Sequence, residues 1–262
     1  MADPFYALVT GASSGIGAAL ARALARRGRR LVVTGRNLER LEKLAAETRP
    51  AAGDVRIVLA DLRAETGPDQ IEEYLAREGL QVDLLVNNAG FGAGGDFAAL
   101  PIARQLEMLD VNMRSLAELT HRHLVRMRKR GAGAILNVAS TAAFQAVPYM
   151  AAYAASKAFV LHLSLGLWEE NRHTGVHVMA LCPGTTRTGF FAVSGIAMDG
   201  PYIETPEQVA EAALRALARR RPILVCGWPN RAMVALERLL PRRWVVMAAA
   251  RYMRKRTTAA LG

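Results

Sequence analysis

The chain has 262 residues, of which 52% are hydrophobic and 22% are charged. This composition excludes an intrinsically disordered protein and supplies enough apolar material for one large α/β domain. The formal net charge of +11 is concentrated near one end, because residues 215–262 hold twelve Arg or Lys and a single acid, Glu237. Any anionic partner would therefore be sought in this segment.

The start of the chain and its longest uncharged run bear on localisation. Residues 1–6 include an Asp and a Pro but no basic region, so no secretory signal is expected and a cytoplasmic chain is predicted. Residues 131–156 carry no charge and are long enough to span a bilayer. They contain Asn137, Ser140 and Gln145, whose polar side chains would lack hydrogen-bond partners in hydrocarbon. We therefore interpret the run as a strand, a loop and the start of a helix.

Short apolar runs alternate with helix-length segments as far as residue 226. The predicted strands are Tyr6–Thr10, Arg30–Thr34, Val55–Ala60, Val82–Val86, Ala134–Ala139, Val176–Leu181 and Ile223–Cys226. The predicted helices are Gly15–Arg27, Leu38–Thr48, Pro68–Glu78, Ile102–Lys129 and Tyr153–Asn171. The alternation predicts an α/β fold with a parallel, doubly wound sheet. No repeat or linker divides it, so we predict one catalytic domain over residues 1–228 and a helical extension over 229–262.

A glycine-rich turn follows the first predicted strand. The segment Thr10–Gly17 reads Thr-Gly-Ala-Ser-Ser-Gly-Ile-Gly, and helix-forming residues come next. Glycines at this spacing let the backbone turn sharply and approach a pyrophosphate at a helix N-terminus. The alternative is a tight strand-to-helix turn without a ligand. The predicted dinucleotide contacts are Gly11, Ser13, Ser14, Gly15, Ile16 and Gly17.

The end of the second predicted strand indicates which dinucleotide binds. An NAD site carries an acid there that accepts hydrogen bonds from the ribose 2′-hydroxyl. Here Gly35 is followed by Arg36, and no acid appears before Glu39. A guanidinium pairs with a 2′-phosphate through charge-assisted hydrogen bonds, so we predict NADP(H) rather than NAD(H). The alternative is that Arg36 is a solvated surface residue.

Polar residues also end the third and fourth predicted strands. Asp61 and Leu62 end the third, and Asn87 to Gly90 follow the fourth. Ligands of open α/β sheets bind beyond the carboxyl ends of the strands, so Asp61, Leu62, Asn88, Ala89 and Gly90 are predicted to line the cofactor. Asn87 is favoured as a lining residue too, the alternative being a buried turn residue that bonds its own backbone.

The candidate chemistry lies in a later helix. Tyr153 and Lys157 are four residues apart and share one helix face, where an ammonium would lower the pKa of a phenol toward working pH. Ser140, just after the fifth strand, can hydrogen-bond a substrate oxygen as charge develops on it. Asn112 lies inside the long predicted helix and can hold a water behind Lys157. If Tyr153 and Lys157 are considered without Ser140 and Asn112, the alternative is a partly buried Tyr beside an exposed Lys with no catalytic role.

In combination these motifs resemble the short-chain dehydrogenase/reductase family. The resemblance rests on Thr10–Gly17, Asn87–Gly90, Asn112, Ser140, Tyr153-x-x-x-Lys157 and Pro183-Gly184, and covers about residues 5–227 in order. It implies a Rossmann-type fold of about seven strands and an NADP-preferring oxidoreductase acting on a carbonyl/alcohol pair. It implies that Tyr153 is the acid/base, that Lys157 lowers its pKa and binds the nicotinamide ribose, that Ser140 orients the carbonyl, and that Asn112 carries a proton relay.

The resemblance also implies cofactor contacts and an assembly. Pro183, Gly184, Thr186 and Thr188 would flank the nicotinamide carboxamide. A homodimer or homotetramer would pack through the helices near 102–129 and 153–171. A non-catalytic NADP(H)-binding sensor is the main rival, and the joint presence of Ser140, Tyr153 and Lys157 argues against it. Sugar-nucleotide epimerisation or dehydration would need a larger C-terminal domain.

A lid and a basic tail complete the chain. Residues 189–203 are predicted to form a mobile substrate lid, and an apolar carbonyl substrate is our hypothesis, with packing against the protein alone as the alternative. The apolar residues expected at the substrate are Phe190, Phe191, Val193, Ile196, Met198 and Tyr202, with Phe144, Val147 and Tyr149. Residues 241–256 suit an interfacial helix on anionic lipid, or a helix that covers its own domain or a neighbouring subunit.

Two other kinds of site are not expected. The tail is basic, but no nucleic-acid-binding motif accompanies it, so a nucleic-acid partner is not favoured. Cys182 and Cys226 lack zinc-ligand spacing and are interpreted as buried thiols. His121 and His123 point in nearly opposite directions on a helix, and no metal site is predicted.

Overall fold

The sheet is parallel throughout and has seven strands. The computed structural model describes residues 5–198 and 202–258. The strands are β1 Phe5–Thr10, β2 Arg30–Gly35, β3 Val55–Leu59, β4 Gln81–Asn87, β5 Gly133–Val138, β6 Val176–Cys182 and β7 Ile223–Val225. Their order is β3-β2-β1-β4-β5-β6-β7. The order reverses between β1 and β4, which is the switch point where ligands bind in Rossmann-type sheets. The predicted fold class is therefore confirmed.

Helices cover both faces of the sheet. They are α1 Gly15–Ala25, α2 Leu38–Ala52, α3 Gly67–Arg77, α4 Ile102–Leu109, α5 Leu116–Arg130, α6 Ala151–Glu170, α7 Phe190–Ser194, α8 Pro206–Ala218, α9 Trp228–Glu237 and α10 Arg242–Thr258. Successive strand residues point to opposite faces. Ala7 and Val9 pack under α1, α2 and α8, whereas Tyr6 and Leu8 face the layer formed by α3, α4, α5 and α6.

The structure differs from the predicted elements at two helices. The single helix predicted over 102–129 is divided into α4 and α5 by a π-helical turn, Asp110–Ser115. Helix α8 was not located from the sequence, although Thr205 and Gln208 form a reciprocal capping box and Pro206 opens the first turn.

A buried charged group ties α3 to α5. The Glu72 carboxylate is paired with His123 Nε2 at 3.1 Å and with Arg126 Nη2 at 2.5 Å. Burial disfavours its charge, but His123 and Arg126 outweigh that effect and lower the pKa of Glu72 to about 2. No cluster of three or more His, Cys, Asp or Glu side chains suited to a metal ion occurs among the described residues.

The C-terminal residues form two helices, α9 and α10, that are separated near Pro241 as the sequence indicates. Met253 of α10 is 4% exposed and belongs to the same apolar cluster as Phe190 and Tyr153. Within the described ranges, no helix combines the length and apolar character needed to cross a bilayer. A domain boundary at residue 228 stays a prediction, and α10 packs on residues that precede it.

Candidate active site

The glycine-rich turn connects β1 to α1 at the carboxyl edge of the sheet. Gly11 and Gly15 have φ of +64° and +57°, a region that favours glycine. A Cβ at Gly17 would lie 2.4 Å from the Gly11 carbonyl oxygen and 2.3 Å from Asn88 Nδ2. No side chain fits at that position, so the turn stays narrow. Gly11, Ser13, Ser14, Gly15 and Ile16 line a cavity of about 860 Å³.

Thr10 and Asn88 fix the turn against the end of β4. The Thr10 hydroxyl accepts hydrogen bonds from the backbone N–H groups of Asn88 and Ala89, each at 3.0 Å. Asn88 Nδ2 in turn donates to the carbonyls of Thr10 at 2.9 Å and Gly11 at 3.2 Å. Asn88, Ala89 and Gly90 line the cavity as predicted. Thr10 was overlooked as a positioning residue, although it opens the motif.

Asn87 does not line the cavity, contrary to the interpretation favoured from the sequence. Its side chain is 3% exposed, and its amide donates to Thr120 Oγ1 and Asn137 Oδ1, both at 2.9 Å. Asn87 therefore points into the packed layer between β4, β5 and α5. The cause is strand alternation, since neighbouring residues leave a strand in opposite directions.

Cations surround the cavity where β2 and β3 end. Arg36 is exposed and lines the cavity with Ser13 and with Arg40, which the sequence analysis missed. Asp61 also lines it, and its carboxylate is paired with Arg63 at 2.6 Å. The hydrogen bonds from Arg63 hold the pKa of Asp61 below its usual value. Leu62, 8% exposed, lies beside it on the wall.

Ser140, Tyr153 and Lys157 meet at the same cavity. Ser140 follows β5 and caps a short 3₁₀ turn, Thr141–Phe144, by accepting a hydrogen bond from the Ala142 N–H at 3.1 Å. Tyr153 and Lys157 share one face of α6 and are 8% and 5% exposed. Lys157 Nζ lies 5.9 Å from the centre of the Tyr153 ring and donates to the Val138 carbonyl at 2.8 Å.

The electrostatics of this trio differ from the expectation that Lys157 lowers the pKa of Tyr153. Burial raises the pKa of the Tyr153 phenol to about 12, although the hydrogen bond with Ser140 lowers it. Burial also lowers the pKa of Lys157 to about 8. Desolvation dominates because the lysine ammonium is directed to the Val138 carbonyl rather than to the phenol oxygen. The raised pKa keeps the Tyr153 phenol protonated at neutral pH.

Asn112 lies in the π-helical turn, behind the trio rather than on the cavity wall. It is fully buried, and its amide donates to the Phe91 carbonyl at 3.1 Å and to Ser156 Oγ at 3.0 Å. Its Oδ1 accepts from the Phe91 N–H at 3.2 Å. Gly90 packs so closely that a Cβ there would lie 2.9 Å from Asn112 Oδ1 and 3.4 Å from Lys157 Nζ. Asn112 therefore holds the loop after β4 against α6, and the relay through it stays a prediction.

The segment that follows β6 forms another part of the cavity wall. Pro183, Gly184, Thr186 and Thr188 all line it. The Thr186 hydroxyl donates to the Gly184 carbonyl at 3.1 Å, and the Phe190 N–H donates to Thr188 Oγ1 at 3.2 Å. A Cβ at Gly184 would lie 2.3 Å from Asn230 Nδ2, so α9 is in direct contact with this loop.

The apolar wall contains part of the predicted substrate-lining set. Phe190, Phe191, Val193, Tyr202 and Val147 line the cavity. Four other predicted residues do not, namely Phe144, Tyr149, Ile196 and Met198. Ile196 is 3% exposed and packs against Gly94, while Met198 is 43% exposed. Residues 199–201 of the predicted lid lie outside the described residues.

The C-terminal helices supply the part of the wall that the sequence did not predict. Met233 of α9 and Ala249, Tyr252, Met253 and Arg256 of α10 line the cavity. Nothing local in the sequence signals these contacts, because they join residues about a hundred positions from α6. One face of the tail therefore covers its own domain.

The site can be compared with known proteins. The family model described as short chain dehydrogenase matches residues 6–196. An uncharacterized oxidoreductase from Myxococcus xanthus is 33% identical over 254 residues, which are 96% of this chain and 99% of that protein. A very-long-chain 3-oxoacyl-CoA reductase from Anas platyrhynchos is 34% identical over 215 residues, which are 80% of this chain and 67% of that protein.

A solved structure extends the likeness to three dimensions. A short-chain dehydrogenase from Sphingobium yanoikuyae in complex with NADPH aligns with a TM-score of 0.81 and 34% identity. The alignment covers 93% of this chain and 95% of the other. The glycine turn and the cluster of Ser140, Tyr153 and Lys157 lie within the region that the family model matches. The relative from Myxococcus xanthus and the solved structure extend the likeness over nearly the whole chain. This chain belongs to the short-chain dehydrogenase/reductase family.

Proposed function

We propose that the protein is an NADP(H)-dependent oxidoreductase that interconverts a lipophilic carbonyl compound and its alcohol, with Tyr153 as the acid/base. The observation that carries the proposal is that Ser140, Tyr153 and Lys157 border the same cavity as the glycine turn. NADPH supplies the hydride. The protein supplies position and the proton.

The proton is provided by Tyr153. Its raised pKa keeps the phenol protonated at neutral pH, so it can donate to a carbonyl oxygen held by the Ser140 hydroxyl. Lys157 is cationic at neutral pH, because its lowered pKa of about 8 still lies above that pH. Its ammonium lies 5.9 Å from the centre of the Tyr153 ring and is held there by its hydrogen bond to the Val138 carbonyl.

The choice of NADP(H) rests on the cations at the end of β2. Arg36 and Arg40 line the cavity next to Ser13, and the first acid after β2, Glu39, is not part of the wall. Two guanidinium groups and a hydroxyl suit the 2′-phosphate that distinguishes NADP from NAD. The related structure from Sphingobium yanoikuyae, which contains NADPH, supports this assignment.

The lipophilic substrate is supported by the opposite end of the cavity. Phe190, Phe191, Val147, Met233 and Met253 line it. Apolar walls with a few converging polar groups are typical of small-molecule sites. The name of the 34% identical relative, a very-long-chain 3-oxoacyl-CoA reductase, agrees with an apolar substrate.

A panel of carbonyl compounds graded by chain length and ring size tests the proposal. We expect NADPH consumption to be at least about 10-fold faster, in kcat/KM, with long-chain or polycyclic ketones than with small polar ones, because each buried CH₂ contributes about 0.8 kcal/mol. Faster turnover of small polar carbonyls would contradict the apolar site. Tight NADPH binding without turnover of any panel member would favour the non-catalytic sensor.

We also propose a homo-oligomer that packs through α6 and the α4–α5 region. Phe159, Leu163 and Leu165 are only half-buried on α6, and Ile102 is 61% and Leu106 52% exposed on α4. Apolar side chains left open on adjacent helices suit an interface between two copies. Sedimentation velocity distinguishes a dimer from a tetramer.

A third proposal concerns the outer face of the C-terminal helices, which we place on an anionic lipid surface. Trp228 is 71%, Leu239 82% and Trp244 54% exposed. Arg242 and Arg243 are exposed on the same segment. Exposed aromatic and aliphatic groups beside cations are characteristic of interfacial helices.

Vesicle flotation tests the lipid proposal. Each cation near an anionic surface contributes about 1 kcal/mol, so the double variant Arg242→Glu, Arg243→Glu should bind phosphatidylserine vesicles at least about 30-fold more weakly. The matched control reverses two exposed cations of α2, Lys43→Glu and Arg49→Glu, and should bind as the parent does. Recovery of the parent protein in the unbound fraction, with charged and neutral vesicles alike, would contradict the proposal. The exposed face of the C-terminal helices would then be assigned to contact with a second copy of the protein.

A further inference from the structure

The geometry points to an anion subsite at the far end of the substrate cavity. We propose that Arg256 of α10 binds a carboxylate carried by the substrate, so that the preferred substrates are apolar ketones with an acidic group. This inference rests on the proposed function, because it assumes that the carbonyl lies at Ser140 and Tyr153.

Arg256 is a buried guanidinium with unused hydrogen-bonding capacity. It lines the cavity although it is only 7% exposed. Its Nε donates to the Ala197 carbonyl at 2.9 Å, and its Nη1 donates to the Tyr252 hydroxyl at 3.1 Å. Nη2 is buried and has no hydrogen-bond partner among the described residues. An unsatisfied buried donor costs about 1–3 kcal/mol, and more when it is charged, so a bound acceptor would be favoured.

Aromatic rings stabilise the charge of Arg256. Its Cζ lies 5.4 Å from the ring centre of Phe191 and 5.1 Å from that of Tyr252. Such contacts favour a cation without compensating its charge. Within the part of the chain that the structure describes, no carboxylate forms an ion pair with Arg256. A ligand anion would provide the missing partner.

Aromatic rings connect this guanidinium to the proposed proton donor. The ring of Tyr153 is 5.3 Å from that of Phe190, which is 5.5 Å from that of Phe191, which contacts Arg256. A substrate with its carbonyl at Tyr153 would lay an apolar body along these rings and bring its far end to Arg256. The arrangement selects a molecule that is apolar in the middle and anionic at the end.

A single guanidinium suits a monoanion better than a phosphate ester. The other cations of the described cavity wall are Arg36, Arg40, Arg63 and Lys157. Arg36 follows β2, Arg40 lies in the first turn of α2, and Arg63 follows β3. Lys157 donates a hydrogen bond to the Val138 carbonyl. Among the described wall residues Arg256 is therefore the cation at this end, where a carboxylate gains charge-assisted hydrogen bonds from Nη2.

A matched pair of substrates tests the subsite by kinetics. The pair is a linear oxodecanoate, with its ketone near the end opposite to the carboxylate, and the methyl ester of that acid. Both are assayed with NADPH. We expect the parent protein to favour the acid by about 10-fold in kcat/KM, which corresponds to one hydrogen bond between charged groups. Arg256→Met should lower kcat/KM for the acid about 10-fold and change that for the ester less than about twofold. Arg251→Met, which removes an exposed cation from the same helix, should preserve the preference.

Binding measurements separate this inference from the reductase proposal. Decanoate and methyl decanoate cannot be reduced by this chemistry, so their affinities for the NADPH complex, measured by calorimetry, do not depend on turnover. Tighter binding of decanoate to the parent, lost in Arg256→Met, supports the subsite even if no carbonyl is reduced. Equal affinities in the parent overturn it. Equal losses for acid and ester in Arg256→Met would likewise overturn it, because they would show that Arg256 only holds the backbone at Ala197 in place. Should Arg256→Met fail to fold, Arg256→Lys, which retains the charge, should keep a preference for the acid.

Discussion

Tyr153→Phe is expected to lower kcat by about 10³-fold, within the range that general acid catalysis contributes. The substitution removes only the phenol oxygen, which in the structure interacts with Ser140. The ring that packs 5.3 Å from Phe190 is retained, so the wall of the cavity and the fold should be preserved. The measurement is single-turnover reduction of an apolar ketone by bound NADPH, which isolates the chemical step from product release.

Two further observations make this result specific to proton donation. NADPH affinity, measured by fluorescence titration, should change by less than about twofold in Tyr153→Phe, since the lost oxygen is directed to the substrate carbonyl. Tyr149→Phe is the matched control, because Tyr149 lies four residues earlier and does not line the cavity. Retention of a tenth or more of kcat in Tyr153→Phe would contradict the role of Tyr153, and an equal loss in Tyr149→Phe would indicate a packing effect.

Much of the fold follows from apolar periodicity in the sequence. All seven strands were placed within about two residues of their observed ends, because buried parallel strands are short, β-branched and bounded by turns. The π-helical turn at Asp110–Ser115 could not be predicted, since it preserves the apolar spacing on both sides while inserting an extra residue. Its position around the buried Asn112 agrees with the frequent occurrence of such turns at functional sites.

The candidate site was predictable where its residues are local to strand ends. Gly15 and Asn88 follow β1 and β4 and line the cavity, whereas Gly17, which was also predicted as a cofactor contact, does not line it. Arg40 was missed because its approach to the cavity depends on how α2 packs. Arg256 was missed because α10 folds back over Phe191 and Ala197. The raised pKa of Tyr153 could not be predicted from the sequence either, since it depends on burial and on the orientation of Lys157.

Arg36→Ala is expected to lower kcat/KM for NADPH by about 10²-fold and to change that for NADH less than about threefold. A charge-assisted hydrogen bond contributes about 1.5–3 kcal/mol, which is lost only with the cofactor that carries the 2′-phosphate. Both cofactors are compared under steady-state conditions with one ketone. The affinity of the parent protein for NADPH should fall as salt is added, because Arg36 is exposed and its charge is screened.

A matched change of charge distinguishes a direct contact from a general effect of the basic surface. Lys43 is an exposed cation of α2 that does not line the cavity, so Lys43→Ala should leave the ratio of the two cofactors unchanged. Arg40→Ala should have an effect between those of Lys43→Ala and Arg36→Ala, because Arg40 lines the same wall. Equal efficiency of NADH and NADPH in the parent protein would rule out the 2′-phosphate contact. In that case Arg36 would be a solvated surface residue, and the protein would not select between the two cofactors.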